Sequence, residues 1–567
     1  MFGKKLFVLL MTAVMSVCMV LAVSGQEQAS GDKDPSIAIL FTNDVHSYYN
    51  RDIGYDGLIL YKKELQQEYE HVLLVDAGDA IQGAPIGAIS KGKEVIRIMN
   101  EAGYDVAVLG NHEFDYGLEV LDDLSEQLLC GYTCANFCTA DGASVFAPYK
   151  TIECGDTLVG FVGVVTPETY TKSYIHELID DQGNAMYDLK NDDSGESLYA
   201  CLQSAIDELK ERGADFVILI AHLGNDDNAV YAFHSKEVAA HLTGLGAIID
   251  AHSHKVYNDT VKDASGKEIP LVQTGAYFQN VGKMILHLDG TIDTALIDEI
   301  PAPEEWMEGV DAVTVTRGQK ERYVDADMNR FLEDITASYA DTMNRRVGEV
   351  AFDMDVRNEE GDISRSGENG MCDLVADAYR EIMETEIGFV NAGSVRNGVQ
   401  AGELTFNDMI NVLPYSNDVV IARVKGQTLL DALELGCSYM PLEAGGFPQV
   451  SGMEYTLDMS MESTVQTDEN GNYVKVAGDR RVRDVLIDGE PLDPDAEYTV
   501  AMTEYIFNGG DHYEMFSENS EIIGTTRKTD NAILTEYVEN NLNGVIPETY
   551  LQVNDRIHII NQAGQTQ

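Results

Sequence analysis

Gly110-Asn-His-Glu-Phe-Asp-Tyr-Gly117 follows the apolar run Val106 to Leu109, and that junction decides how the rest of the chain is read. It places Asn111, His112 and Asp115 where a buried strand meets its loop. Asn offers a carbonyl oxygen to a metal, His gives or takes a proton, and Asp orients a neighbouring His. Four other apolar runs end in residues of the same kind. Ile37 to Phe41 leads into Asp44 and His46, and Val72 to Val75 leads into Gly78 and Asp79. Phe216 to Ile220 ends at His222, and Ala247 to Ile249 runs into His252 and His254.

Continuous apolar runs of this length predict strands buried on both faces, and sheets of such strands hold ligands outside their carboxyl ends. Five strands therefore bring Asp44, His46, Asp79, Asn111, His222, His252 and His254 to one rim. That is more oxygen and imidazole than one ion needs. It suits two divalent cations about 3.5–4 Å apart with one carboxylate between them. Any one of these residues alone reads more readily as a turn former, but five coincident strand ends argue for a shared site. Such a ligand set admits zinc, manganese, cobalt or iron.

In order, Asp44-Val-His46, Gly78-Asp-Ala-Ile-Gln-Gly83, the octapeptide, His222 and Ala251-His-Ser-His254 resemble the metallophosphoesterase motifs, and more narrowly those of the 5′-nucleotidase family. Ala251 stands where that family usually has glycine. The resemblance implies an α/β chain of two domains. The first, over 36–320, is a calcineurin-like metallophosphoesterase β-sandwich flanked by helices; a linker helix and an α/β substrate-binding domain follow. It further implies that Asp44, His46 and His254 surround one metal, that Asn111, His222 and His252 surround the other, and that Asp79 bridges them. His112 would stabilise phosphoryl charge and protonate the leaving alkoxide, with its ring held by Asp115. Hydroxide, formed from a water acidified by the two ions, would attack phosphorus in line.

Later in the chain, Gln273 to Tyr277 and Asn280 to Lys283 are similar to the family's last first-domain motif. Met328, Phe331, Leu332, Ile335, Tyr339 and Met343 recur at helical spacing and predict an amphipathic linker helix over 325–346, packed along one side. The second domain then spans 347–560. Ser364 to Leu374 is expected to open a helix running to Glu384, and Phe389 to Gly398 a strand and turn carrying Asn391 and Arg396. Leu413-Pro-Tyr415 and Glu504 to Asp511 follow. Arginines at turns suit phosphate capture, and two tyrosines on separate loops can sandwich a flat base. Each feature alone is more readily a surface charge, a core ring or a turn. The resemblance assigns Arg365, Asn391, Arg396, Tyr415, Tyr505 and Asp511 to a nucleotide pocket, with Asp511 accepting from ribose hydroxyls. Both aromatics are Tyr where the family often has Phe, and Ala392 replaces the first glycine of its loop.

At the start of the chain, Lys4 and Lys5 precede an apolar stretch, Leu6 to Val23, and then Ser24, Gly25 and a polar segment. This predicts a secretory signal over 1–25, with an uncleaved anchor or lipidation at Cys18 as lesser readings. The mature protein is expected to be exported (secreted, periplasmic or cell-surface associated) and to keep no stable membrane span. A net charge of −58 argues against a nucleic-acid polymer as partner. An anionic nucleotide then needs local cations to reverse the field, and the two metals and selected arginines supply them. Of eight cysteines, seven follow Cys18. Cys130, Cys134 and Cys138 have a spacing that would suit zinc on a helix, but Gly131 to Asn136 reads as a strand, so the seven are read as mostly buried thiols. Nothing in the pattern sets an oligomeric state.

The resulting expectation is a two-metal phosphohydrolase acting on 5′-nucleotides, with UDP-sugars or ADP and ATP as further substrates. A 2′,3′-cyclic-nucleotide 2′-phosphodiesterase with 3′-nucleotidase action uses the same chemistry. A non-catalytic surface binding protein is the alternative of another class, and the complete set from Asp44 to His254 with His112 and Asp115 counts against it.

Overall fold

The computed structural model describes residues 33–169, 186–192, 194–225, 230–302, 310–317, 320–356, 365–467 and 473–560. The expected signal at 1–25 lies outside them. No helix among the described residues is long and apolar enough to cross a membrane.

Two six-stranded sheets form the first domain. Asp34–Thr42, Tyr69–Asp76 and Val106–Val108 run parallel in one, and Thr157–Val165, Phe216–His222 and Ala247–Asp250 run parallel in the other. Antiparallel strands Val281–Leu286 and Ile292–Ile297 extend the first sheet, and Tyr149–Cys154 edges the second.

Strand alternation explains the layers. Ile37, Ile39 and Phe41 pack with Ile218, Ile220 and Ile249 between the sheets. Ala38 and Leu40 face Leu58, Ile98 and Met99 on the helices Gly54–Glu68 and Lys93–Ala102. Val217 and Leu219 face Leu202 and Ile206 on the helix Glu196–Glu211. Each parallel strand is thus apolar on both faces, as its sequence requires. Lys93–Ala102 ends where Gly103 takes φ 69°, the left-handed cap that glycine tolerates best.

The linker helix, Ala326–Met343, starts at Asp325, whose carboxylate accepts the Met328 N–H at 3.0 Å. Met328, Leu332 and Ile335 bury into the first domain's helical layer. In the second domain a five-stranded sheet, ordered Pro448–Ser451, Ile387–Asn391, Glu497–Thr503, Asp418–Lys425, Glu521–Thr529, carries a hydrophobic cluster on each face. The helix expected from Ser364 to Glu384 is shorter, Gly370–Ile382. Asn369 caps it by accepting the Met371 N–H at 2.9 Å, so Arg365 sits on the loop before the helix. Ser364 lies outside the described residues.

The seven described cysteines are free thiols, five of them buried. Cys134 follows the short strand Tyr132–Thr133, so the Cys130–Cys138 run is not helical.

Candidate active site

All seven expected metal ligands lie at the carboxyl ends of strands from both sheets. Ligand atoms of Asp44, His46 and His254 lie within 4.8 Å of one another, and so do those of Asp79, His222 and His252. Asp79 faces both groups, its Oδ2 being 3.1 Å from His222 Nε2 and 3.8 Å from His46 Nε2. His254 Nε2 is 3.5 Å from Asp44 Oδ1. Asn111 sits beside them, buried, on the short helical turn Asn111–Phe114.

Hydrogen bonds outside the cluster fix which nitrogen points in. His46 Nδ1 meets the Gln82 carbonyl at 3.2 Å, so it carries the proton and Nε2 turns its lone pair toward His254 Nε2, 3.0 Å away. His222 Nδ1 donates to the Ala77 carbonyl at 2.8 Å, aiming Nε2 at the Asp79 carboxylate. Nitrogen facing nitrogen and nitrogen facing carboxylate at these distances call for a shared proton or a metal cation between them. Burial opposes charge on His222, yet the Asp79 carboxylate lifts its imidazole to about 10, so a proton there does part of a metal's work. Burial instead drives His46 down to about 3 and pushes the Asp44 carboxyl up to about 7. The donor set fits two divalent ions.

The loops holding these groups are tightly constrained. Asp44, His46, Asp79, His252 and His254 all take positive φ, between 50° and 76°. Non-glycine residues rarely do so, and such strain gathers at functional sites. A Cβ on Gly110 would lie 2.2 Å from Asp79 Oδ1, so only glycine admits the carboxylate there. Glu113, buried, accepts N–H groups from Asp79 at 2.8 Å, Ala80 at 2.8 Å and Gly110 at 2.6 Å, tying two of the loops together. Asn43 donates to Asp44 Oδ2 at 2.6 Å and accepts from Thr274 Oγ1 at 2.6 Å. Asp250 takes the Gly224 N–H at 3.0 Å and so joins the His222 and His252 loops. Sequence reasoning assigned Glu113, Asn43 and Asp250 no role, although each lies within three residues of an assigned one.

His112 stands at the edge of the cluster. Its backbone N–H donates to Asp79 Oδ1 at 2.8 Å, and its Nδ1 meets Asp115 Oδ2 at 2.6 Å. Burial disfavours the charged ring, but Asp115 and Asp79 outweigh it and raise the imidazole to about 9.

The second domain closes over this rim. Tyr415 lies 5.6 Å from His112, ring centre to ring centre, with the planes tilted by 30°. Arg396 donates Nη1–H to the Tyr415 hydroxyl at 2.7 Å and Nη2–H to the Tyr277 hydroxyl of the first domain at 3.0 Å. Asn391 donates to Asp511 Oδ2 at 2.8 Å, and Ser394 donates to Asn391. A Cβ on Gly510 would fall within 2.6 Å of the Tyr505 ring, so the Asn508-Gly-Gly turn lies flat against that aromatic face. One cavity of about 360 Å³ contains His112, Asp115, Arg365, Arg396, Tyr505 and Asp511 in its lining, with metal-rim residues at one end. Tyr439, Gly445 and Gly446 also line it, from a loop that carried no recognisable motif.

Residues 37–256 match the calcineurin-like phosphoesterase family, and residues 346–518 match the 5′-nucleotidase C-terminal domain. The chain is 25% identical over 554 residues to the trifunctional nucleotide phosphoesterase protein YfkN of Bacillus subtilis, covering 90% of this chain but only 34% of that protein. It spans about a third of that relative's length. It is also 25% identical to the 5′-nucleotidase of Vibrio cholerae, covering 94% of this chain and 96% of the other. Its fold is shared with the 5′-nucleotidase precursor of Thermus thermophilus, at a TM-score of 0.70 and 23% identity over 93% of this chain and 99% of that one.

Proposed function

The chain belongs to the 5′-nucleotidase family of phosphate-ester hydrolases, and from that premise we propose that it is an exported enzyme removing phosphate from 5′-mononucleotides. The observation that carries this reading is the single cavity joining Asp79, His112 and Asp115 to Tyr505 and Asp511. A phosphate at the first group places a nucleoside at the second.

Asp44, His46 and His254 would hold one ion, Asn111, His222 and His252 the other, with Asp79 facing both. When bound, the ions supply a polarised phosphate and an acidified water. His112 keeps Nδ1 on Asp115 and offers Nε2 to the leaving oxygen, to which it gives a proton. Arg365 and Arg396 answer the phosphate's charge in a chain whose net charge of −58 would otherwise repel it. Tyr415 and Tyr505 offer faces to the base, and Asp511, steadied by Asn391, accepts from the ribose hydroxyls. Because rim and base pocket belong to different domains joined by the helix Ala326–Met343, entry and release proceed by hinge motion.

The test is phosphate release from AMP by the mature protein, stripped of metal and resupplied with manganese or zinc, beside His112→Ala. Metal-dependent release that falls about 10²–10⁴-fold in the variant supports the reading. Turnover of a 2′,3′-cyclic nucleotide but not of AMP would replace it.

A further inference from the structure

The loop from Gly436 to Phe447 walls the nucleoside end of the cavity, and its two ends are pinned beside Asp511. A Cβ on Gly446 would lie 3.2 Å from the Asp511 Cβ, and one on Gly436 would lie 2.1 Å from the Tyr513 hydroxyl. That hydroxyl donates to the Gly446 carbonyl, so both ends of the loop meet at one tyrosine. The Gly393 N–H donates to the Gly445 carbonyl at 2.7 Å and ties the same end to the turn after Asn391. Between the pinned ends stands Tyr439, which lines the cavity and keeps 36% of its surface exposed.

Taken alone, a part-exposed tyrosine is ordinary. What sets this one apart is Arg481. Its guanidinium is buried, donating from Nη1 to the Ser438 carbonyl at 3.4 Å and from Nη2 to the Met440 carbonyl at 3.1 Å. The residues on either side of Tyr439 are therefore held by one side chain. The Arg481 backbone is fixed as well, its N–H donating to Glu434 Oε1 at 3.0 Å and its carbonyl accepting from the Asp458 N–H at 2.9 Å. Glu434 is fully buried on the helix Gly426–Gly436 and also accepts the Val482 N–H at 2.9 Å. The brace runs from the helix before the loop, through Arg481, to the loop itself.

A buried charge is costly unless it is well paired, and an apolar side chain would pack there without that cost. Yet the hydrogen bonds of the Arg481 guanidinium reach two carbonyls and the Met459 sulfur, not a carboxylate. Its Nε has no hydrogen-bond partner among the described residues. What the guanidinium supplies in return is the fixed position of Tyr439. An aromatic face held in place and still open to water gains most when a flat ring covers it.

Resting on the proposed nucleotidase reading, we infer that Tyr439 is a specificity-determining residue that contacts the nucleobase, and that Arg481 is a positioning residue acting through it. Tyr415 and Tyr505 then have a third aromatic partner on the open side of the pocket. The contact selects substrates that carry a base over sugar phosphates without one, which the metal rim and Asp511 would treat alike.

The experiment measures kcat and KM for AMP and for ribose 5-phosphate, with Ki against AMP where the sugar phosphate turns over slowly. It uses the metal-loaded full chain and its Tyr439→Phe, Tyr439→Ala, Arg481→Lys and Arg481→Lys/Tyr439→Ala variants. Adenosine is titrated calorimetrically in parallel. In Tyr439→Ala the KM for AMP is expected to rise about tenfold, the scale of one base–aromatic stack, and adenosine affinity to fall with it. Its kcat for AMP and all its ribose 5-phosphate constants should stay within about twofold of the parent, and Tyr439→Phe should match the parent throughout. Arg481→Lys should raise the KM for AMP severalfold alone and add nothing to Tyr439→Ala, because the two residues act as one unit. Equal losses on ribose 5-phosphate, an unchanged KM for AMP in Tyr439→Ala, or a Phe variant as weak as Ala would overturn the base contact. Additive losses in the double variant would overturn the role of Arg481. If the parent hydrolyses AMP and ribose 5-phosphate equally well, this inference fails alone; if it hydrolyses no AMP, the nucleotidase reading falls with it.

Discussion

Arg396 of the second domain donates an N–H to the Tyr277 hydroxyl of the first, at 3.0 Å, beside His46 and His254. This bond joins the two domains beside the candidate metal ligands, so under the proposed reading a movement that opened the cleft would also withdraw Arg396 from the phosphate. Hydrogen bonds to charged groups are worth about 1.5–3 kcal/mol. Tyr277→Phe is expected to lower kcat/KM for a mononucleotide about tenfold, and Arg396→Ala by about 10² or more. Arg396→Lys should not rescue, because lysine lacks the planar fork that reaches two hydroxyls. Steady-state kinetics decide it, and an unchanged kcat/KM in Tyr277→Phe would remove the bond from function.

Glu113 makes the second prediction. Its carboxylate accepts four buried N–H groups, from Asp79, Ala80, Ile81 and Gly110, on the loops that carry Asp79 and Asn111. Glu113→Ala removes the acceptor of all four, at about 1–3 kcal/mol for each N–H left unpaired. Urea unfolding should show a loss of several kcal/mol, and metal content by elemental analysis should fall with it. A stable variant with full metal content would show that Glu113 is replaceable.

Much of this site could be read from the chain because metal ligation and strand burial both leave local marks. Asp44, Asp79, Asn111 and His252 each follow a continuous apolar run by a few residues, and His222 ends one. What could not be read was which strands share a sheet. Ile37–Phe41 and Phe216–Ile220 look alike in sequence, yet they lie in different sheets whose facing sides share one hydrophobic cluster that includes Phe41 and Ile220. Pairing is a property of the partner, not of the strand. Long-range polar contacts were silent for the same reason. Nothing in Gln273-Thr-Gly-Ala-Tyr277 says that Tyr277 will meet Arg396, 119 positions later. The start of the helix in the 364–384 segment lies later than Ser364 because Asn369, a good N-cap, sits inside a polar run whose sequence does not mark which of its residues begins the helix.

Metal removal should act on stability as well as on rate. Facing acceptors in the Asp44–His46–His254 and Asp79–His222–His252 groups repel one another unless a cation intervenes. A ligand at 100 times its Kd adds about 2.7 kcal/mol to the folded state. Chelation should therefore lower Tm by several degrees, with manganese or zinc restoring it, and Asp79→Ala should abolish that metal-dependent shift. Calorimetric melts with and without metal make the measurement. An equal shift in Asp79→Ala would place the stabilising ion elsewhere.

Asp530 carries a prediction far from the metals. It begins the helix Asp530–Glu536, is fully buried, and accepts the Asn531 N–H on Oδ1 at 2.7 Å, while Oδ2 has no hydrogen-bond partner among the described residues. Burial, assisted by the nearby Asp418 carboxylate, pushes its carboxyl up to about 8, well above the unfolded value of about 3.9. Between those limits the folded chain keeps a proton that the unfolded chain has released, so unfolding becomes easier as pH rises. The contribution of this one group is a loss of stability that accumulates as pH rises above the unfolded value and flattens above about pH 8. Asp530→Asn is neutral throughout and loses that slope. Its stability relative to the parent should therefore improve steadily from pH 5 to pH 8 in urea unfolding. A difference that stays constant across the range would mean that Asp530 is ionised in the folded chain and that a partner for Oδ2 holds it so.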